Sequence, residues 1–275
     1  MQWRQLMQRL VEALRRGQIP EPEREAQYLL QWATGRTYAD WIAWGGIVDD
    51  GAVHRANVAL GRRLAREPLA YITGQREFYG LNLAVSPAVL IPRPETENLV
   101  QTVLSVVRPS PMRVVDVGCG CGAIALAVKA TRPAWMVYGA DVSASALALA
   151  DQNGRRLGLS VRWIQSDLLV NVPSPLDIIV ANLPYVDLAE QSHMSPETRY
   201  EPPLALFAED GGLALIRRLI EMSAGWLRAS GWIFLECSPA QAHSVSQTLK
   251  SFGFGQVSIA QDYAGLDRVV FGRRT

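Results

Sequence analysis

The run RVVDVGCGCGAIALAVKATR, residues 113–132, decides the fold. It begins as a β-branched strand, crosses glycines at alternate positions, and ends as an Ala- and Leu-rich helix. Gly118, Gly120 and Gly122 permit a tight turn and let a ligand approach backbone amides at a helix N-terminus. Gly118, Gly120 and Ala123 also satisfy the dinucleotide fingerprint G-x-G-x-x-G/A. Asp141 follows about 20 residues later, where that fold keeps a ribose-binding acid.

The same alternation extends outward from this run. WMVYGAD (135–141), VRWIQSD (161–167), LDIIVAN (176–182) and GWIFLEC (231–237) read as further buried strands. AIALAVKATR (123–132), SASALALADQNGRRLG (143–158) and GLALIRRLIEMSAGWLRAS (212–230) have helical period. Near-continuous apolar strands alternating with helices predict an α/β fold, a doubly wound and mostly parallel sheet. QVSIAQDY (256–263) and DRVVFGRR (267–274), with no long helix between them, predict an antiparallel hairpin at a sheet edge and bring the sheet to seven strands.

Residues 1–70 have a different texture. Trp3, Leu6, Met7, Leu10, Val11 and Leu14 form one helical stripe that Gly17 stops. A second helix is expected from Pro22 to Gly35, with two more in TYADWIAW (37–44) and VHRANVALGRRLAR (53–66). A small helical domain over 1–70, a hairpin linker over 71–88 and a nucleotide-binding domain over 89–275 follow.

Composition narrows the function. Lys plus Arg (27) nearly balance Asp plus Glu (26), for a net charge of +1, so the basic excess of a nucleic-acid-gripping domain is missing. The three cysteines are sparse and odd in number, as expected in a reducing cytosol. His54, His193 and His243 are scattered, and no metal site is expected. No signal-peptide core and no apolar run of about 20 residues is seen, so a cytoplasmic chain without membrane contact is expected.

Two acids favour S-adenosylmethionine over a nicotinamide cofactor. Asp116 can orient a positively charged amino-acid end, and Asp167 closes the third strand where an adenine amino group would donate. Either Asp141 or Asp167 could instead be only a helix N-cap. Asn182, Leu183, Pro184 and Tyr185 leave the LDIIVAN strand on the same rim. Alone they would read as a turn. Beside a methyl donor they become an acceptor site. The Asn182 side-chain oxygen and the Leu183 carbonyl can accept both protons of a planar amide or amine, and Tyr185 can stack on it. The donor is already a cation, so orientation suffices and no general base is needed.

PLAYITGQREFYGL (68–81), VLIPRPETENLV (89–100), DVGCGCGAIALA (116–127), ANLPYV (181–186) and EPPLALFAEDGGLALIRRLI (201–220) carry a resemblance over nearly the whole chain. It resembles the HemK-like (PrmC-type) release-factor glutamine N5-methyltransferases. The resemblance implies a class I methyltransferase domain behind a helical substrate-recognition domain. It also implies S-adenosylmethionine as donor and the glutamine of a Gly-Gly-Gln loop on peptide-chain release factors as acceptor. The cofactor would be held by Gly118, Cys119, Gly120, Cys121 and Gly122 with Asp116 and Asp141. Asp167 and Leu168 would border the adenine, with Asn182 shared between cofactor and substrate. A monomer with no direct nucleic-acid substrate is expected. The sister family that modifies a ribosomal protein continues differently after the shared Pro-Arg, so Pro94-Glu95-Thr96-Glu97 favours release factors. The family commonly carries Asn-Pro-Pro-Tyr, and Leu183 replaces the first Pro here. A nucleobase amino methyltransferase and a binding module without turnover are the alternatives.

Overall fold

The computed structural model describes residues 1–275, which divide into two compact units. One comprises Met1–Gly74 with Ser195–Tyr200, the other Gln75–Met194 with Glu201–Thr275. The first unit is helical: α1 (Trp3–Arg16), α2 (Pro22–Thr34), α3 (Tyr38–Trp44), α4 (Asp50–Leu64) and a short α5 (Leu69–Thr73). The α1 stripe buries Trp3, Leu6, Leu10 and Leu14 against Ala26, Leu29 and Leu30 of α2 and Ala52, Ala56 and Ala59 of α4. Small residues on the facing helices let the backbones approach. Thr37 and Asp40 cap α3 reciprocally, and Asp49 caps α4. Within this unit Arg63, almost fully buried, is held by Glu25 (2.6 Å) and Glu197 (3.0 Å), so its charge is paired on both sides.

The second unit begins with the hairpin β1 (Gln75–Phe78) and β2 (Leu81–Ala84). The hairpin starts later than expected, because residues from Leu69 to Thr73 complete α5 before Gly74 breaks the helix at φ +72°. After α6 (Pro94–Val106) come β3 (Arg113–Val117), α7 (Ala123–Thr131), β4 (Met136–Asp141), α8 (Ala144–Leu157), β5 (Arg162–Gln165) and β6 (Leu176–Ala181). The chain closes with α9 (Ala214–Trp226), β7 (Leu227–Glu236), α10 (Ala242–Ser251), β8 (Phe254–Gln261) and β9 (Asp267–Arg274).

The seven strands lie in the order β5-β4-β3-β6-β7-β9-β8. All pairings from β5 to β7 are parallel, and β9 runs antiparallel to both β7 and β8. β3 leads to β4 and β5 on one side, and the chain then returns to place β6 on the other. The switch between β3 and β6 opens the crevice where such sheets bind ligands.

Two local features hold that crevice in shape. The Trp163 indole of β5 fills the space beside Gly122 and Gly139, where an added Cβ would collide with it. Asn153 of α8 is completely buried and reaches two segments at once. Its Oδ1 accepts from Ala84 N–H (2.7 Å), and its Nδ2 donates to the carbonyls of Ala84 and Cys121 (3.0 Å each). One amide thus ties the hairpin to the glycine loop. Asn153→Ala would leave these buried groups unpaired and should cost roughly 1–3 kcal/mol, read as a lower urea midpoint at unchanged slope.

Candidate active site at the carboxyl ends of the strands

Register delivers the polar residues to one rim. Val117 pairs with Ala140 and with Ala181, and Ala181 pairs with Leu235. The next positions on four adjacent strands are Asp141, Gly118, Asn182 and Glu236. Sequence reasoning anticipated the first three and missed the fourth.

The glycine loop is closed by the two acids beside it. Asp141 accepts from Gly120 N–H through Oδ2 and from Ser143 N–H through Oδ1, both at 2.9 Å. Asp116 is completely buried, and its Oδ2 accepts from Ala125 N–H (3.0 Å) in the first turn of α7. So Asp116 holds one free amide of the α7 first turn from outside the helix. Its other oxygen, Oδ1, has no hydrogen-bond partner. Burial pushes the Asp116 carboxyl up to about 7, with Ala125 N–H opposing and the Asp141 charge adding to the rise. Cys119 and Cys121 are buried, unpaired thiols whose pKa burial raises, Cys121 to about 12, so both are inert neutral packing groups.

Gly118, Gly120 and Gly122 all adopt positive φ (+72°, +53° and +84°). A Cβ on Gly118 would stand 2.9 Å from Leu183 Cδ2, so the loop touches the Asn182–Tyr185 turn directly. Beside Gly120 nothing lies within 4 Å of such a Cβ, and space is open there. A ligand rich in hydrogen-bond donors fits this set: hydroxyls for Asp141 at the loop, with the buried Asp116 carboxyl beneath it favouring a positively charged group.

Asp167 lies just beyond β5. Its carboxylate is half exposed and makes a two-point pair with Arg218 (3.1 and 2.5 Å) without capping a helix. Leu168 turns its side chain into the core at φ +49°, leaving only its backbone for a ligand.

The Asn182–Tyr185 turn is held from several sides. Asn182 Nδ2 donates to Thr96 Oγ1 (3.0 Å), so its Oδ1 is the atom free to accept. Thr96 lies in the first turn of α6, inside the PRPETE stretch, and nothing in the sequence pattern assigned it a contact. Leu183 is buried against Gly118. Gln241 Nε2 donates to the carbonyls of Tyr185 and Gly211, both at 2.8 Å. Gly212, at φ +82°, packs so closely on the Tyr185 carbonyl that a Cβ has no room. The Tyr185 hydroxyl lies 3.4 Å from Glu236 Oε1, and burial, followed by the Glu236 charge, pushes the phenol pKa up.

Comparison with known proteins shows the family of the chain. The family described as "PrmC N-terminal domain" matches residues 5–74, and "Methyltransferase small domain" matches residues 95–218. A release factor glutamine methyltransferase of Deinococcus radiodurans is 36% identical over 100% of this chain and 99% of its own length. That of Escherichia coli K12 is 37% identical over 96% and 97%, and that of Neisseria gonorrhoeae 40% identical over 92% and 93%. The chain belongs to the release factor glutamine methyltransferase family. It is a methyltransferase that uses S-adenosylmethionine. Solved structures share the fold at lower identity. The hMettl16 catalytic domain with an RNA hairpin aligns at TM-score 0.59 and 18% identity, covering 90% of each chain. A Thermus thermophilus 16S rRNA methyltransferase, RsmC, with AdoMet and guanosine aligns at 0.55 and 19%, covering 73% of this chain and 50% of that one.

Asp116 makes ligand-free stability pH-dependent. Its folded-state carboxyl binds a proton more tightly than the unfolded one, so its contribution is full below the usual 3.8 and is lost as pH rises to about 7. Asp116→Asn keeps the acceptor for Ala125. It should narrow the gap between melting temperatures at about pH 5 and about pH 8 relative to the parent chain.

Proposed function

We propose that this chain transfers a methyl group from S-adenosylmethionine to the side-chain amide nitrogen, N5, of the glutamine in a Gly-Gly-Gln motif of a peptide-chain release factor. The observation that carries this reading is the Asn182 amide, locked by Thr96 with Oδ1 free, on the rung next to Gly118. When bound, the cofactor supplies a sulfonium methyl as the electrophile.

The chain's own residues then have to bind and orient. Asp141 accepts from ribose hydroxyls, and Asp116, buried beneath the loop, attracts the cofactor's ammonium, a nearby cation that favours the carboxyl's charged form. Asn182 Oδ1 and the Leu183 carbonyl accept the two N–H protons of the glutamine amide. That fixes the amide plane, and nitrogen faces the methyl in line. Tyr185 lies flat against the amide. Orientation of this kind contributes much of the acceleration when a conjugated nitrogen is the nucleophile. The names of the full-length relatives support glutamine as acceptor, and the charge balance of the chain speaks against a nucleic-acid substrate.

The helical unit, residues 1–70 in the main, docks the release factor. In support, it exposes Ile42 (59%), Trp44 (81%) and Ile47 (71%) within six residues, large apolar side chains that a partner can cover.

Asn182→Ala should reduce single-turnover methyl transfer by ~10²-fold while S-adenosylmethionine still binds. Leu183→Pro should keep most activity, and Tyr185→Phe should be milder than Tyr185→Ala. Asp141→Ala should instead weaken cofactor binding in calorimetry. Normal turnover by Asn182→Ala, or label appearing on a nucleobase, would refute the acceptor assignment.

Replacing Trp44 and Ile47 together by Ser should raise KM for the release factor and leave cofactor affinity unchanged. An unchanged KM would remove the docking role of that surface.

A further inference from the structure

Glu236 is an acid where the fold does not need one. It ends β7, is 1% exposed, and sits on the rung beside Asn182. Burial raises its carboxyl to about 7. The Thr96 hydroxyl, Arg268 of β9 and the Tyr185 hydroxyl favour its charged form, and Glu95 of α6 opposes it. Arg268 is itself engaged by Asp262 (3.1 Å), so it only partly compensates Glu236. Tyr185 reaches Oε1 at 3.4 Å, and Oε2 has no partner of good hydrogen-bonding geometry although Thr96 lies beside the carboxyl. Leaving a buried carboxylate under-satisfied is costly, and a glutamine or an apolar residue would pack the same space more cheaply.

We infer that Glu236 and Thr96 are positioning residues that set the polarity of the Asn182 amide. The inference rests on glutamine N5 being the acceptor. Ionised Glu236 can only accept, so the Thr96 hydroxyl turns its proton toward it. The Thr96 oxygen then has lone pairs for Asn182 Nδ2–H, the 3.0 Å contact observed. The amide carbonyl is left for the substrate. With Glu236 protonated, the carboxyl becomes a donor to Thr96, and the Thr96 proton is released toward Asn182. An amide that receives a proton there turns its carbonyl to Thr96 and its NH2 to the substrate, donor against donor. The sequence separates Thr96 from Asn182 by 86 positions; the packing of α6 on β7 sets Thr96 beside the Glu236 carboxyl, and its hydroxyl oxygen accepts from Asn182.

The test uses the full chain with S-adenosylmethionine and a release factor, together with side-chain amide NMR of the chain alone. Single-turnover rates should rise with pH through about 7, where Glu236 ionises, and level off above it. Glu236→Gln should lower the rate and flatten this profile. Thr96→Val should cut the rate ~10-fold or more, with S-adenosylmethionine affinity unchanged and Thr96→Ser restoring most of it. The Asn182 amide resonances should titrate near pH 7 in the parent chain and stop titrating in both Glu236→Gln and Thr96→Val. A wild-type rate in Thr96→Val, or Asn182 resonances that do not move in the parent chain, overturns the relay. A parent chain that labels no release factor overturns the glutamine reading instead, and the resonance titration then decides the relay on its own.

Discussion

The site depends on the close approach of two backbones across the switch between β3 and β6. Gly118 and the Asn182–Tyr185 turn leave neighbouring parallel strands one rung beyond the Val117–Ala181 pair. At that rung there is no room for a side chain on Gly118, because Leu183 already occupies it. Without this approach the glycine loop and the Asn182–Tyr185 turn would be separated by side chains. Methyl transfer needs donor and acceptor groups in contact and in line. On the function proposed for this rim, the missing Cβ matters more for bringing donor and acceptor together than for packing.

Two buried acids flank that contact, and both are raised to about 7 mainly by burial. Neither is paired in the way a structural buried charge normally is, in contrast to Arg63 in the helical unit, which has carboxylates on two sides. Asp116 keeps an orphan oxygen beside the glycine loop, and Glu236 keeps one near Thr96. The unfavourable burial is tolerable at a place where a cationic ligand or a defined hydrogen-bond polarity compensates it. Asp177 is the useful contrast. Buried at the opposite end of its strand, it accepts from Arg113 N–H at 2.6 Å, and its other oxygen, although it makes no hydrogen bond, is ion-paired with Arg228.

Much of this was legible in the sequence. Apolar strands alternating with helices gave the parallel order from β5 to β7, and the helix-free tail gave the antiparallel β8–β9 pair. The rim residues were legible for a physical reason: parallel strands point the same way, so the polar residue that ends each one falls on the same edge. What escaped were the side chains whose meaning lies in a partner far along the chain. Thr96, Asn153 and Gln241 carry no signal of their own in the sequence. Their contacts with Asn182, Ala84 and Tyr185 span 86, 69 and 56 positions and depend on register. Helix α10 was hidden by Ser and Thr, which weaken helix propensity, although Ala242, Val245, Ser246 and Leu249 bury one face. Asp167 lies just beyond β5, and its pairing with Arg218, 51 positions away, is another contact that only the fold reveals.

The replacement of a proline by Leu183 follows from how the turn is held. A second proline stiffens such a turn from within, by restricting its own φ and the residue before it. Here the restraint comes largely from outside. Gln241 clips the Tyr185 carbonyl to that of Gly211, and Gly212 closes on the same carbonyl. Val186 exchanges hydrogen bonds with Leu206 and Ala208 of the EPPLALFAEDGG segment (3.1 and 3.0 Å). That segment is anchored in turn by Glu201, which accepts from Arg93 (2.6 Å) and from Ile91 N–H (3.3 Å). The PRPETE stretch therefore reaches the acceptor turn twice, through Arg93 and Glu201 to its backbone and through Thr96 to its side chain. With the backbone fixed by neighbours, position 183 is free to use its side chain for packing on Gly118, and an apolar branched residue fills that contact better than a pyrrolidine ring.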